Sequence, residues 1–437
     1  MSLKLIFIQL NEINFDLVDK YLAASKKNKF INIKTIKKNY KSFDTYAEKK
    51  YENLEPWIQW VSVNLGKKFD EHNIFRLGDI VKCTTAKQIF EKIEDRGFKV
   101  GAISPMNTDN RLKNPSYFVP DPWTDTHSDN SKFSKRLTLM LKQTINDNAS
   151  GRLSINSILT IIEIICRTLH YKNTSFLLKL IFSSIFKPWK KSLVLDYLIH
   201  LIHIYFLKKK LPNFSSIFLN AGAHIQHHYL HNSKYLKDLP KNPEWYLNQS
   251  LDPIEDMIEV YDKIIGDYLK LSQNKNPILI STGLSQVPYN TLKFYYRLKN
   301  HQLFLKKIGI NFVKVLPRMT RDFEIMFDNE ENLKDAKIIL KNIKLKKNNL
   351  NIFKEIEERN KSLFVVLTFP HEVKKDDIII IDQNLELNFY DELVFVAIKN
   401  GMHNSKGYVF YSPSKDLNIP KDPVHISEIH SMILSHF

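Results

Sequence analysis

The chain has 437 residues, with 64 Lys+Arg against 47 Asp+Glu, a formal charge of +17, only 2 Cys and only 11 Gly. Apolar residues make up 43% and charged residues 25%, which excludes a disordered chain and leaves room for two or three domains. Cys83 and Cys166 cannot build a disulfide framework or a cysteine zinc site, so a reduced, intracellular setting is expected. The positive surplus is mostly Lys, a point charge and not a bidentate fork, which argues against nucleic acid as the partner.

In chain order, the run Leu3–Leu10 reads as a buried first strand. It is too short for a signal segment and ends in Asn11-Glu12 before the periodic Phe15-Asp16-Leu17-Val18. A helix over Ala86–Arg96 stops at Gly97 and precedes a strand over Lys99–Ser104. Residues 126–211 are helical in pattern. Within them Lys187–Lys210 has Lys at both ends and an apolar middle, which suits either a buried cap helix or an interfacial helix against anionic lipid. A strand over Ser216–Leu219 comes next, then a helix over Pro253–Leu271 and a strand over Pro277–Ser281. Residues 290–360 are basic and mixed, and the late apolar runs Phe364–Leu367 and Val394–Ile398 complete the series. No stretch reaches the length of a membrane span. Strands alternating with helices predict an α/β fold with a mainly parallel sheet, whose functional residues gather at the carboxyl ends of the strands.

Four segments carry chemistry. Asn220-Ala221-Gly222-Ala223-His224-Ile225-Gln226-His227-His228-Tyr229-Leu230-His231 follows a strand directly and places four His at i, i+3, i+4 and i+7 of a helix, spacing suited to metal ligation. Asn400-Gly401-Met402-His403 sets a His in a tight loop after an apolar run. Glu55-Pro56-Trp57 through Trp60, Ser62, Gly66 and His72 reads as a packed turn, and Asn11-Glu12 ends the first strand.

Taken together and in order, these segments resemble the alkaline phosphatase superfamily, near its phosphodiesterase/nucleotide pyrophosphatase branch. Leu10-Asn11-Glu12-Ile13-Asn14-Phe15-Asp16-Leu17 matches the family's Asp-Gly strand end and Phe-Asp-Leu helix. Trp60, Ser62, Gly66 and His72 hold the spacings of its nucleophile segment, and Asn220 and His224 match Asp-x-x-x-His. Tyr261, Asp262, Ile265, Gly266 and Leu269 match a following helix, Ser281-Thr282-Gly283-Leu284 stands at Ser-Asp-His-Gly, and Gly401-Met402-His403 stands at the late Gly-x-His. The segment from Val424 to Leu434 resembles the closing helix.

The resemblance implies a three-layer α/β/α core over 1–125, 212–289 and 361–437, a helical insertion over 126–211 and a basic cap over 290–360. It also implies metal-dependent hydrolysis or transfer at a phosphoester or sulfate ester. The first-metal set maps to Asn220, His224 and His403, and the second to Asn11, Pro56, Thr282 and Gly283, where every ligand type is lost. Pro56 also stands at the nucleophile.

One divalent ion, Zn or Mn, is therefore expected and not two. Its ligands are expected from His224, His403, Asn220 and His228, with His227 as an alternative to His228. Glu12 and Glu55 serve as catalytic carboxylates, each one residue from a lost position, unless they only cap helix starts. Asn11, Ser62 and Thr282 are expected to bind substrate. The expected partner is a phosphorylated or sulfated small molecule or glycan, such as a cell-envelope glycan or lipid-linked sugar. The expected location is cytoplasmic, peripheral at the inner face of the membrane. The alternative is an inactive descendant that binds a glycan, nucleotide or partner.

Overall fold

The computed structural model describes residues 3–146, 154–168, 174–272, 276–318, 321–382, 385–412 and 422–437. They form two compact units: residues 1–238, 247–288 and 401–437, and residues 239–246 and 289–400.

The first unit is built on an eight-stranded sheet. Across it run Val424–His425, Lys41–Tyr46, Lys406–Tyr411, Ile278–Ser281, Leu5–Leu10, Phe214–Leu219, Val100–Ile103 and Tyr117–Val119. All neighbouring pairs are parallel except those made by Lys406–Tyr411, which runs against both its neighbours. Leu5–Leu10 is apolar at nearly every position because both faces of the sheet are covered. Ile6, Ile8 and Leu10 pack with helices Phe15–Ala24, Lys190–Lys210 and Pro253–Ser272, while Leu5 and Phe7 pack with Trp60 of helix Pro56–Leu65 and with Ile429 of helix Glu428–Leu434. The result is a three-layer α/β/α sandwich.

The second unit has its own core around Phe304, Phe323, Phe353 and Leu363. Its four-stranded antiparallel sheet runs in the order Phe353–Arg359, Ser362–Leu367, Asp322–Met326, Lys314–Pro317. This divides the chain differently from the expectation that the core resumes at 361. The run 364–367 finds its partners locally, in antiparallel pairs with 353–359 and 322–326, and so never enters the central sheet. Lys406–Tyr411 and Lys41–Tyr46 fill the central sheet instead; neither was anticipated.

Helices do occupy 126–211: Lys132–Asn146, Ile155–Thr168, Thr174–Phe186 and Lys190–Lys210. The last is the buried helix of the two alternatives and not the lipid-facing one. Leu193, Tyr197, Leu201, Ile204 and Phe206 are buried, and helices Ile155–Thr168 and Thr174–Phe186 pack on it. Its polar residues turn inward too. His203 bonds the hydroxyls of Tyr268 and Ser215, and His200 meets the Asp267 carboxylate at 3.2 Å. Burial depresses both imidazoles, His203 most strongly, so these are neutral core histidines.

Asp196 on the same helix carries a mechanical load. Its carboxylate accepts from the backbone N–H groups of Asn220 (3.2 Å) and Ala221 (2.8 Å) and from the Tyr261 hydroxyl (2.8 Å). It thereby caps helix Ala221–Tyr229 from outside. Burial pushes its carboxyl up to about 6, and the three hydrogen bonds only partly restrain the rise. An aspartate raised from an unfolded value of about 3.9 stays protonated in the folded state over a range where the unfolded chain has already ionised. Its stabilising contribution is therefore complete below about pH 4 and is lost as pH rises through 6. The stability of the wild type relative to Asp196→Asn is expected to be about 1 kcal/mol larger at pH 5 than at pH 7.5. Thermal unfolding of both proteins at the two pH values measures this, and a difference that shrinks at pH 5 contradicts it.

Candidate metal centre

Three chain segments converge at the carboxyl edge of the sheet. The first is the turn after Leu5–Leu10. Glu12 has φ 62°, a left-handed conformation that suits the Gly of the family pattern and is strained for Glu. Its N–H is fixed by the Thr282 carbonyl at 2.9 Å. The second is helix Ala221–Tyr229. Its Gly222 lies so close to the turn that a Cβ there would stand 2.1 Å from Ile13 Cδ1. Gln226, one turn later, donates to the Glu12 carbonyl at 2.8 Å and accepts from Asn14 N–H at 3.0 Å. This sets the helix's rotation, and His227 then faces the Glu12 carboxylate. The third is strand Leu393–Asn404, which delivers His403.

Glu12 Oε2 lies 3.2 Å from His227 Nε2 and 3.2 Å from His403 Nε2, and the two nitrogens are 3.3 Å apart. A tetrahedral ion with bonds of about 2.0–2.1 Å separates its donors by about 3.3 Å, so the triangle matches one face of such a coordination shell. Among the described residues this is the one group of three His, Cys, Asp or Glu side chains that could hold an ion.

Hydrogen-bond chemistry points the same way. His227 Nδ1 faces the Gly401 carbonyl at 3.1 Å, an acceptor, so Nδ1 carries the proton and Nε2 offers a lone pair. His403 Nδ1 faces Glu55 Oε2 at 3.7 Å, which favours the same tautomer. Two nitrogen lone pairs then point at a carboxylate oxygen, an arrangement that a cation between the three atoms, or a proton on an Nε2, relieves, while each Nδ1 has the carbonyl or carboxylate partner that ligating histidines use.

Glu12 is buried and ionised. Burial alone would raise its carboxyl, but positive charge and N–H donation from the His403 and His227 imidazoles, when Nε2 is protonated, more than reverse this and hold it well below the usual range. Its other contacts are hydrogen bonds from Asn11 Nδ2 at 3.0 Å to Oε1 and from Gln286 Nε2 to Oε2. Trp60 Nε1–H, a donor only, bonds Asn11 Oδ1 at 2.8 Å, which turns Nδ2 toward Glu12 Oε1 and toward Asn220 Oδ1 at 2.8 Å. An Asp at 11 could not donate. The amide there is the residue type that a Glu ligand at 12 needs.

The other anticipated residues fall outside the triangle. His224 and His228 pair with each other, ring centroids 4.8 Å apart, on the neighbouring face of the helix. The α-helix ends at Tyr229, so His231 leaves its line and is buried. Asn220 Oδ1 is engaged by Asn11 and supports the site without joining it. Three residues expected to bind substrate are fully buried with internal partners. Asn11 is placed as above. Ser62 bonds the Ile58 carbonyl and His72 Nε2. The Thr282 hydroxyl accepts from Tyr408 N–H at 2.9 Å. Glu55 precedes helix Pro56–Leu65 but makes no side-chain cap bond, so the capping role does not account for it. The sequence signal that could have found Gln286 and Gly401 is steric. A Cβ on Gly401 would stand 2.2 Å from Gln286 Oε1, so only glycine lets that strand approach.

No family model and no curated protein matches the chain. Solved structures do. The chain is similar to phosphonoacetate hydrolase from Sinorhizobium meliloti 1021, at 11% identity over 100% of this chain and 96% of that one, with a TM-score of 0.45. It is similar to human ectonucleotide pyrophosphatase/phosphodiesterase 5, at 12% identity over 99% and 94%, TM-score 0.41. It is also similar to the alkaline phosphatase of the Antarctic bacterium TAB5, at 10% identity over 100% and 98%, TM-score 0.41. All three are alkaline phosphatase superfamily proteins, the group that the sequence pattern resembles.

Proposed function

We propose that the chain is a divergent alkaline phosphatase superfamily protein that holds one divalent ion, Zn or Mn, between Glu12, His227 and His403. In this reading it hydrolyses or transfers a phosphoester of a small molecule or glycan. The observation that carries the reading is the triangle of Glu12 Oε2, His227 Nε2 and His403 Nε2 at 3.2, 3.2 and 3.3 Å. An ion bound there supplies positive charge where negative charge develops on the ester. Glu12 brings the one formal anion of the set, held in place by Asn11 and Gln286. The Gly401 carbonyl keeps His227 in its ligating tautomer. Glu55 is half-exposed beside His403 and is assigned the acid–base work, since Pro56 bars a covalent nucleophile at the matching position.

Metal analysis after equilibration with Zn²⁺ or Mn²⁺ and hydrolysis of bis(p-nitrophenyl) phosphate test the reading. About one ion per chain with measurable turnover supports it; under about 0.1 ion per chain and no turnover sinks it. Glu55→Gln is expected to keep the ion at saturating metal and to lose turnover by about 100-fold or more. Unchanged turnover in that variant removes Glu55 from the chemistry. The loss of ligand types at Asn11, Thr282 and Gly283 favours a second reading, a non-catalytic descendant that binds its phosphorylated ligand at the same ion. That reading fails if any ester is turned over and the rate collapses in Glu55→Ala.

A further inference from the structure

Helix Ile155–Thr168 is amphipathic in the inverted sense. The residues it buries are Ser157, Thr160, Ile164 and Thr168. Those it turns to the outside include Ile155 (77% exposed), Leu159 (57%) and Ile162 (49%). Thr160 and Thr168 satisfy their hydroxyls on backbone carbonyls within the helix, and Ser157 donates to Gln143 Oε1 of helix Lys132–Asn146, so the inward polar groups are hydrogen-bonded where they lie. A helix bathed in water presents the opposite arrangement. Helix Thr174–Phe186 repeats the theme: Leu177 and Leu180 are buried, while Phe182 (65%), Ile185 (66%) and Phe186 (72%) are exposed. Both helices pack against Lys190–Lys210.

The cations have a matching distribution. The described residues of 132–191 hold nine Lys and Arg against one acid, Glu163. Arg136 and Arg167 are bound to Glu163, and Lys187 and Lys190 to Asp256. Lys132, Lys135, Lys179 and Lys191 are exposed. No helix among the described residues is long and apolar enough to cross a membrane.

We infer that the outward faces of helices Ile155–Thr168 and Thr174–Phe186 dock on the surface of an anionic lipid bilayer, with the aliphatic and Phe side chains entering the acyl boundary and the lysines meeting phosphate headgroups. A second copy of the chain is disfavoured as occupant, because a self-complementary contact would set this basic surface against its own like charge. An interfacial helix on anionic lipid uses both halves of the surface, apolar area and Lys together. The segment that the sequence offered as an alternative for this role, 187–210, is largely buried and packs with these two helices.

The test is flotation of the full chain with unilamellar vesicles of phosphatidylcholine containing about a quarter phosphatidylglycerol, against phosphatidylcholine alone. The wild type is expected to float with the anionic vesicles and to be released in high salt. Phe182→Ser/Phe186→Ser and, separately, Ile155→Ser/Ile162→Ser should each lower recovery by about tenfold or more, with unchanged near-UV circular dichroism. Val313→Ser, an exposed apolar residue of the second unit, serves as control and should float like the wild type. Equal recovery with and without vesicles, equal recovery on neutral and anionic vesicles, or undiminished flotation of both double variants overturns the inference. A dimer in light scattering that the Phe variant dissociates, without vesicle binding, assigns the surface to a second copy and overturns it as well.

Discussion

Replacing Glu12 by Gln is expected to lower the affinity for Zn²⁺ by more than about 100-fold, since losing even an outer partner of a ligand costs 10–100-fold. The change is isosteric, so the loss is one of charge and lone pairs. Glu12 Oε1 and Oε2 both accept hydrogen bonds, from Asn11 Nδ2 and Gln286 Nε2. An amide can accept on one side only, and its N–H₂ would face a donor in either orientation, Asn11 Nδ2 or Gln286 Nε2. One buried polar group is left unsatisfied, which adds about 1–3 kcal/mol of destabilisation to the lost affinity. Glu12→Gly separates the two effects. At φ 62° glycine relieves backbone strain of about 1–2 kcal/mol while removing the ligand altogether. Its melting temperature in the absence of metal is expected to match or exceed that of Glu12→Gln, with Zn²⁺ binding lost in both. Calorimetric titration with Zn²⁺ measures the affinity; binding within about threefold of wild type in either variant removes Glu12 from the ligand set.

His227→Ala is the second large effect, expected to weaken Zn²⁺ by more than about 100-fold, while His224→Ala leaves affinity within about threefold. The sequence pattern points to the reverse, because His224 stands where the family pattern has its His. In the structure His227 Nε2 lies 3.2 Å from the Glu12 carboxylate and its Nδ1 meets the Gly401 carbonyl, whereas His224 meets His228 edge to face. A chelation assay on the two single variants reads the contrast directly. Strong loss in His224→Ala with retention in His227→Ala would restore the ligand set read from the sequence and dismiss the triangle.

Much of this protein was visible before its structure. The alternation of apolar runs and helical periods implies a mainly parallel sheet, and the polar residues after those runs, Asn11-Glu12 and Asn220 through His228, supply two of the three residues of the candidate site. His403 and Glu12 were both singled out, from the late Gly-x-His and from the offset Asn-Glu pair. Sequence also carried the loss of the second ligand set, since Pro56 and Gly283 offer no donor atom whatever the fold.

Tertiary structure alone decided which histidine of the cluster faces Glu12. Residues 224, 227 and 228 differ by rotations of about 40–100° around one helix, and local sequence does not set that rotation. Packing of Gly222 against Ile13 and the grip of Gln226 on Glu12 and Asn14 set it. Tertiary structure also decided the roles of Asn11 and Thr282, which are consumed as supports because their polar atoms meet Trp60, Glu12 and Tyr408 across the sheet. Which of the apolar helices in 126–211 is buried was equally beyond the sequence. Lys190–Lys210 and Thr174–Phe186 both carry long apolar runs, and only tertiary packing buries the first while leaving Phe182, Ile185 and Phe186 of the second exposed. Residue types and their order fix what chemistry a chain can offer; the long-range contacts fix which atoms meet, because a ligand triangle 3.3 Å on a side depends on separations far smaller than the pitch of the helix that carries it.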